Sequence, residues 1–303
     1  MTVKLCEGTG EMMVVLTGAT RQLPDAEEVI YTIDDAIAAA CIKSGMMVDA
    51  EEEAEGPVPY YYLQSVIVEY KKGDLHEPAK EYVPAAGSRT VCDHVVFPGS
   101  GTERDYEISA PAFYQVNTPG MVRLYEQAAR YAGLTGEEIL LDLYCGAGTI
   151  GLSMADRAAY IVGIEEVRGA VLDANRNVVI NGIVNARYYT GKAEEVLPQI
   201  LTPGDPQYAE YLFAEGLRDK PFVAVLDPPR AGCEETLLRS VAGEGGWRGA
   251  DRIVYISCDP GTLARDAAAL TGLGYVLQEV TPVALFDHTG HVEAVSLWKR
   301  QDQ

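Results

Sequence analysis

An apolar run, Ile139 to Leu143, stops at Gly146-Ala147-Gly148, and an apolar-periodic segment follows from Thr149. That order reads as a buried parallel strand, a tight glycine turn and a helix that begins beside a ligand. Glycine tolerates positive φ and lets the backbone come close to a bound molecule. A helix start offers N–H groups that have no partner inside the helix to polar or negative atoms. One G-x-G fits many turns, so its ligand must be read from the rest of the chain.

From Asn117-Thr118-Pro119 onward, strands and helices alternate. The pattern predicts strands at 139–143, 160–165, 186–190, 222–227, 252–257, 275–283 and 292–299. Helices fit at 119–132, with Thr118 as its cap, and at 149–156, 167–181, 193–201, 233–241 and 260–270. Alternation of this length implies a mostly parallel sheet covered on both faces, with ligands outside the carboxyl ends of its strands. Before residue 110 the pattern is mixed. Strands are predicted at 12–16, 60–70 and 105–109, and an alanine-rich helix at 33–43 stopped by Gly45. An acidic loop is expected at 51–59 and a turn at 71–74. The expected organisation is α/β, with a small domain over 1–110 and a ligand-binding domain over 111–303.

Hydrophobic residues make up 48% of the 303, enough for a sizeable core. No run of eighteen apolar residues and no charged-then-apolar leader is visible, which points to a cytoplasmic protein outside the membrane. The six cysteines are scattered without a C-x-x-C pair. That spacing suits reduced thiols better than disulfides or a metal or iron–sulfur site. The net charge of −21 opposes binding to nucleic acid, where positive charge supplies most of the affinity.

Each predicted strand of the second region ends in something chemically specific. The second ends in Glu165-Glu166, about 20 positions after the glycines, where a carboxylate meets ribose hydroxyls in nucleotide-binding folds. The fourth runs into Asp227-Pro228-Pro229-Arg230, placing a carboxylate at the rim and turning the chain out of the sheet. The fifth ends in Ser257-Cys258-Asp259-Pro260. A thiol there stands at the ligand edge, near a helix start that favours the thiolate, although a buried structural cysteine fits the same pattern. Cys145 reads as a small buried residue. Glu293 is an unexpected carboxylate in an apolar strand, either a surface charge on an edge or a functional group.

These stretches occur together and in order. Phe113-Tyr114-Gln115-Val116-Asn117, Asp142 through Gly151, Asp227-Pro228-Pro229-Arg230, Ser257 through Asp266 and His291-Val292-Glu293 resemble the RNA 5-methyluridine (uracil-C5) methyltransferases. The resemblance covers roughly 105–300. It implies a class I Rossmann-like methyltransferase fold, S-adenosylmethionine as cofactor, and methylation of carbon 5 of a uridine in rRNA or tRNA. It further implies Gln115, Tyr144, Gly146, Gly148, Glu165 and Asp227 as cofactor contacts, Cys258 as nucleophile, Glu293 as general base and Arg230 at the substrate. Three departures stand out. The amino-terminal RNA-binding (TRAM) domain and the iron–sulfur cysteines of many relatives are missing, and Ser-Cys-Asp-Pro replaces Ser-Cys-Asn-Pro. The first departure, with the acidic charge, predicts weak RNA binding by this chain alone. The rival readings are a methyltransferase for cytosine or a small molecule, and a catalytically silent cofactor-binding module that depends on a partner.

Overall fold

The computed structural model describes residues 1–18, 22–48, 58–72, 79–115, 117–201, 217–285, 289 and 291–301. The chain divides into two compact units, Met1–Val95 with Asp105–Thr118, and Val96–Arg104 with Pro119–Gln303.

The first unit is built on a sheet of β1 (Thr2–Leu5), β2 (Glu11–Gly18), β5 (Tyr62–Lys72) and β6 (Ala79–Gly87), in the order β1-β2-β5-β6. Only the central pair β2–β5 is parallel. Met13 to Val15 and Val66 to Val68 are buried along this pair, as β-branched runs in a sheet interior should be. Helix α1 (Ala26–Ser44) ends at Gly45, with φ 72°. It starts well before the expected 33–43, because Glu27 and Glu28 complement the helix dipole and Val29-Ile30 extends the helix despite its β-branched character. Strand β6 was not expected. It carries Pro84 and is an edge of the sheet, where a missing N–H is tolerated. Part of the expected acidic loop, Val58–Pro59, forms a two-residue strand (β4) paired with Met47–Val48 (β3); the rest of that loop and residues 73–74 of the expected turn lie outside the described residues, while Lys71 and Lys72 continue β5 instead of turning. A hairpin, β7 (Thr90–Phe97) and β8 (Thr102–Ser109), completes the region.

The second unit is a seven-stranded sheet of β9 (Ile139–Leu143), β10 (Tyr160–Glu165), β11 (Ala186–Thr190), β12 (Phe222–Leu226), β13 (Arg252–Ser257), β14 (Tyr275–Val283) and β15 (Glu293–Arg300). The spatial order is β11-β10-β9-β12-β13-β15-β14, parallel except for β15. This is the class I methyltransferase fold. Every residue of β9 and β12 is buried, which is why both appear in the sequence as unbroken apolar runs. The helices are α2 (Thr118–Ala132), α3 (Thr149–Ser153), α4 (Arg168–Ile180), α5 (Ala193–Leu201), α6 (Glu235–Val241) and α7 (Pro260–Gly272). Helix α3 is shorter than the expected 149–156 and passes into a 3₁₀ turn at Ala155–Arg157. Truncating a fully buried leucine in β9, such as Leu140, should cost roughly 2–5 kcal/mol. The strand order reverses between β9 and β12, so their carboxyl ends border a crevice.

Candidate active site

The turn after β9 is left-handed at three residues, Tyr144 (φ 63°), Gly146 (φ 54°) and Gly148 (φ 77°). The glycines meet that demand freely; at Tyr144 a side chain is held in strained backbone. Its hydroxyl is fixed by the Cys233 thiol and the backbone of Glu234. The Gly146 N–H donates to Glu165 Oε2 at 3.1 Å, while Glu165 Oε1 accepts from Val167 N–H at 2.8 Å. One carboxylate therefore ties the glycine turn to the end of β10. Tyr144, Glu165, Glu166, Lys192, Pro229 and Gly232 line a cavity of about 240 Å³ here. That is smaller than the roughly 300–1,000 Å³ of complete small-molecule pockets, so it has room for only part of such a ligand.

Asp142, in the middle of apolar β9, is fully buried. Its Oδ2 accepts the Gly151 N–H at 3.0 Å and its Oδ1 has no hydrogen-bond partner. Burial pushes it up to about 7 against that single bond, and the Glu165 charge adds to the rise. An aspartate inside Ile-Leu-Leu-Asp-Leu was the available signal for this residue, which motif reading quoted without giving it a role.

The second cluster gathers around Cys258. The β13–β15 ladder pairs Ser257 with Ala294, so one further step brings Glu293 level with Cys258. Glu293 is buried on β15, which lies inside the sheet between β13 and β14; the edge-charge alternative is thereby removed. Burial raises its carboxyl, and Arg230 opposes the rise. Asp227 is pushed up to about 8, first by burial, then by Glu293 and Asp142. The half-buried Cys258 thiol lies above its ordinary value, through burial and then Glu293 and Asp227, with Arg230 acting the other way. This corrects the expectation that the helix start favours the thiolate: desolvation and two carboxyls outweigh it. Asp259 has a different task. Its Oδ1 accepts the Gly261 and Thr262 N–H groups at 2.8 and 3.0 Å, and these bonds hold it below the usual carboxylate range.

Tyr144 and Glu165 thus line one cavity beside Gly146 and Gly148, and Asp227, Arg230, Cys258 and Glu293 act on one another electrostatically. Gln115 belongs to the first unit, where it is buried with an unpartnered Oε1. A larger cavity, about 320 Å³, is lined by Phe97, Tyr125, Ala129 and Met154 and touches none of these residues. Among the described residues no helix is long and apolar enough to cross a membrane.

The sequence profile of a family described as tRNA (Uracil-5-)-methyltransferase matches residues 94–301. An uncharacterized RNA methyltransferase of Clostridium acetobutylicum is 35% identical over 297 residues, spanning 97% of this chain and 54% of that protein. Another, from Lactococcus lactis, is 35% identical over 294 residues, with the same 97% and 54%. The chain therefore spans about half the length of the curated relatives it matches. The Pyrococcus abyssi tRNA (uracil-54, C5)-methyltransferase, solved with S-adenosyl-L-homocysteine, superposes with a TM-score of 0.62 at 23% identity. That likeness, over 98% of this chain and 58% of the other, is one of fold.

Proposed function

The chain belongs to the tRNA (uracil-5-)-methyltransferase family, and from that premise we propose that it methylates carbon 5 of a uridine in rRNA or tRNA through a cysteine adduct. The observation that carries the reading is the register that sets buried Glu293 level with Cys258 at the ligand edge of the sheet.

The residues fit S-adenosylmethionine. Glu165 is bonded to the glycine turn, and Asp227 and Asp142, raised to about 8 and about 7, are carboxyls whose ionised form a cationic ligand favours. In this reading Gly146 and Gly148 let the ligand approach the backbone, Tyr144 packs against it, and Glu165 exchanges its bond to Gly146 for ribose hydroxyls. Asp227 completes the contacts. When bound, the cofactor supplies the methyl group as an activated sulfonium.

Cys258 opens the reaction. Its thiolate adds to carbon 6 of uracil, forming a C–S bond and making carbon 5 electron-rich. Arg230 meets the negative charge that develops on the uracil oxygen. After carbon 5 has taken the methyl group, Glu293 removes its remaining proton, the C–S bond breaks and Cys258 leaves as thiolate. Burial raises this base, which strengthens its hold on the proton it takes. Weak, salt-sensitive RNA binding by this chain alone follows from its charge of −21.

The test is mass spectrometry of nucleosides from RNA of a strain lacking the gene, before and after incubation with the protein and S-adenosylmethionine. Restored 5-methyluridine supports the reading. Methylation of cytidine, or transfer to a small molecule only, overturns it.

A further inference from the structure

The stretch Arg265-Asp266 is part of the motif that opens at Ser257, yet neither residue enters the chemistry above. Asp266 is 2% exposed and its carboxylate is fully engaged. Oδ2 accepts the Cys233 N–H at 2.8 Å and the Tyr255 hydroxyl at 2.6 Å; Oδ1 accepts Arg265 Nε at 2.7 Å. Arg265 also donates to the Cys233 carbonyl at 3.1 Å. Two consecutive residues of α7 therefore hold Cys233 by both its N–H and its C=O.

Cys233 closes the loop that begins at Asp227. That loop is fastened at its other end to the sheet, where the Asp227 N–H donates to the Leu143 carbonyl at 3.3 Å. Between the two fastenings a tight turn forms, with the Gly232 N–H on the Pro229 carbonyl at 2.8 Å and Arg230 in its bend. Gly232 has φ 78°, and a Cβ there would stand 2.4 Å from Arg265 Nη2 and 2.6 Å from Asp266 Oδ2, so a side chain would force the loop off its anchor. Helix α7 is also the helix that starts immediately after Cys258, and Tyr255 lies on the strand that leads into it.

We infer that Asp266 is a positioning residue: it clamps the loop bearing Arg230 to the strand and helix that bear Cys258, and so sets where the guanidinium stands relative to the thiol. The inference rests on the reading of Cys258 as nucleophile. Arg230 is exposed, and its backbone lies in the turn closed by the Gly232 N–H on the Pro229 carbonyl, between the two fastenings. Its opposing effect on both the Cys258 thiol and the Glu293 carboxyl depends on its standing near them. With the clamp released, the thiol loses a nearby cation.

The experiment reads that coupling directly and needs no RNA. The rate of Cys258 alkylation by iodoacetamide is followed against pH, with the modified peptide identified by mass spectrometry. The proteins are wild type, Asp266→Asn, Arg265→Ala, Arg230→Ala and the double variant Asp266→Asn/Arg230→Ala. In Asp266→Asn an amide N–H replaces the acceptor that faced Arg265; Arg265→Ala removes a side chain that is 56% exposed, so its fold is not at risk. The expected result is an upward shift of the alkylation midpoint by about one unit in each single variant. The double variant should shift no further than Arg230→Ala, because both changes remove the same interaction. Where wild type shows uridine methylation, its kcat should fall on the order of tenfold to a hundredfold in Asp266→Asn. A folded Asp266→Asn with the wild-type profile, or a double variant with additive shifts, overturns the clamp; if Asp266→Asn does not fold, the Arg265→Ala profile decides by the same criterion. Shifted, non-additive profiles in a protein that forms no 5-methyluridine would leave the clamp standing and remove the proposed activity instead.

Discussion

Asp93, in the first unit, and Asp142, in the second, are both completely buried, yet they are treated oppositely. Asp93 accepts the Gly8 N–H at 2.7 Å on one oxygen, and the hydroxyls of Tyr114 and Thr118 at 2.6 and 3.2 Å on the other. Asp142 has the Gly151 N–H and an oxygen with nothing. Burial raises both carboxyls; four hydrogen bonds resist it at Asp93 and one at Asp142. Buried polar groups are normally satisfied, so a fully partnered carboxylate reads as a structural tie and an orphaned one as a group awaiting a ligand. Glu293 and Asp227 fall on the side of Asp142, lifted by burial among like charges.

The largest expected effect is on Glu293. Glu293→Gln should lower turnover by about 10²–10⁴-fold without lowering the melting temperature. It should also accumulate a denaturation-resistant protein–RNA band, seen on a gel and missing from the double variant with Cys258→Ala. Wild-type turnover by Glu293→Gln would put this carboxyl with the structural ties and send the search for the base elsewhere.

Next come the two buried aspartates themselves. Asp93→Asn should destabilise by about 1–3 kcal/mol in urea denaturation, since an amide opposes some of its donors. Asp142→Asn should not. The sign follows from linkage: the folded Asp142 lies near 7, above its unfolded value of about 3.9, so its contribution is fully present below about pH 4 and lost as pH rises through 7. The ligand-free wild type should therefore melt progressively lower from about pH 4 to 7, and Asp142→Asn should flatten that slope. Equal destabilisation by both substitutions would abolish the distinction between them.

A smaller signal is expected in the protons that accompany binding. A cationic ligand favours ionised carboxyls, so S-adenosylmethionine at about pH 7.5 should displace part of a proton from Asp227, which stands near 8, and from Asp142. Calorimetry in buffers of different ionisation enthalpy measures the release. It should shrink with S-adenosylhomocysteine, which lacks the sulfonium charge, and proton uptake would contradict the assignment. The smallest effect is at Asp259. Asparagine caps a helix as well as aspartate does, so Asp259→Asn should leave the urea-denaturation midpoint nearly unchanged. The alkylation profile of Cys258 should stay in place, because the strongest anions acting on it are Glu293 and Asp227. A downward shift would restore Asp259 as the dominant neighbour.

The central sheet was readable because β9, β12 and β13 are buried on both faces and so appear as apolar runs closed by glycine or proline. Strand β6 was hidden by alanines and Pro84, which only its edge position accommodates, and the start of α1 by residues that favour strands elsewhere. Cys258 stood out as a thiol at the end of an apolar strand. Its proton affinity could not be read locally, because Glu293 reaches it across a ladder rather than along the chain. The clamp was hidden for the same reason: Asp266 binds Cys233 and Tyr255, neither of them a helical neighbour.

The reversed direction of β15 carries a consequence for the order in which the molecule becomes competent. A parallel strand in that place would have started at the far edge of the sheet; running backwards, β15 delivers its first residue, Glu293, where β13 delivers its last. Cys258 precedes Glu293 in the chain, and the two come level only when the final strand lies between β13 and β14. Until that insertion is complete, the chain holds Cys258 at the end of β13 with no carboxyl of β15 beside it. Closing the sheet is what brings the proposed nucleophile and its proposed base together.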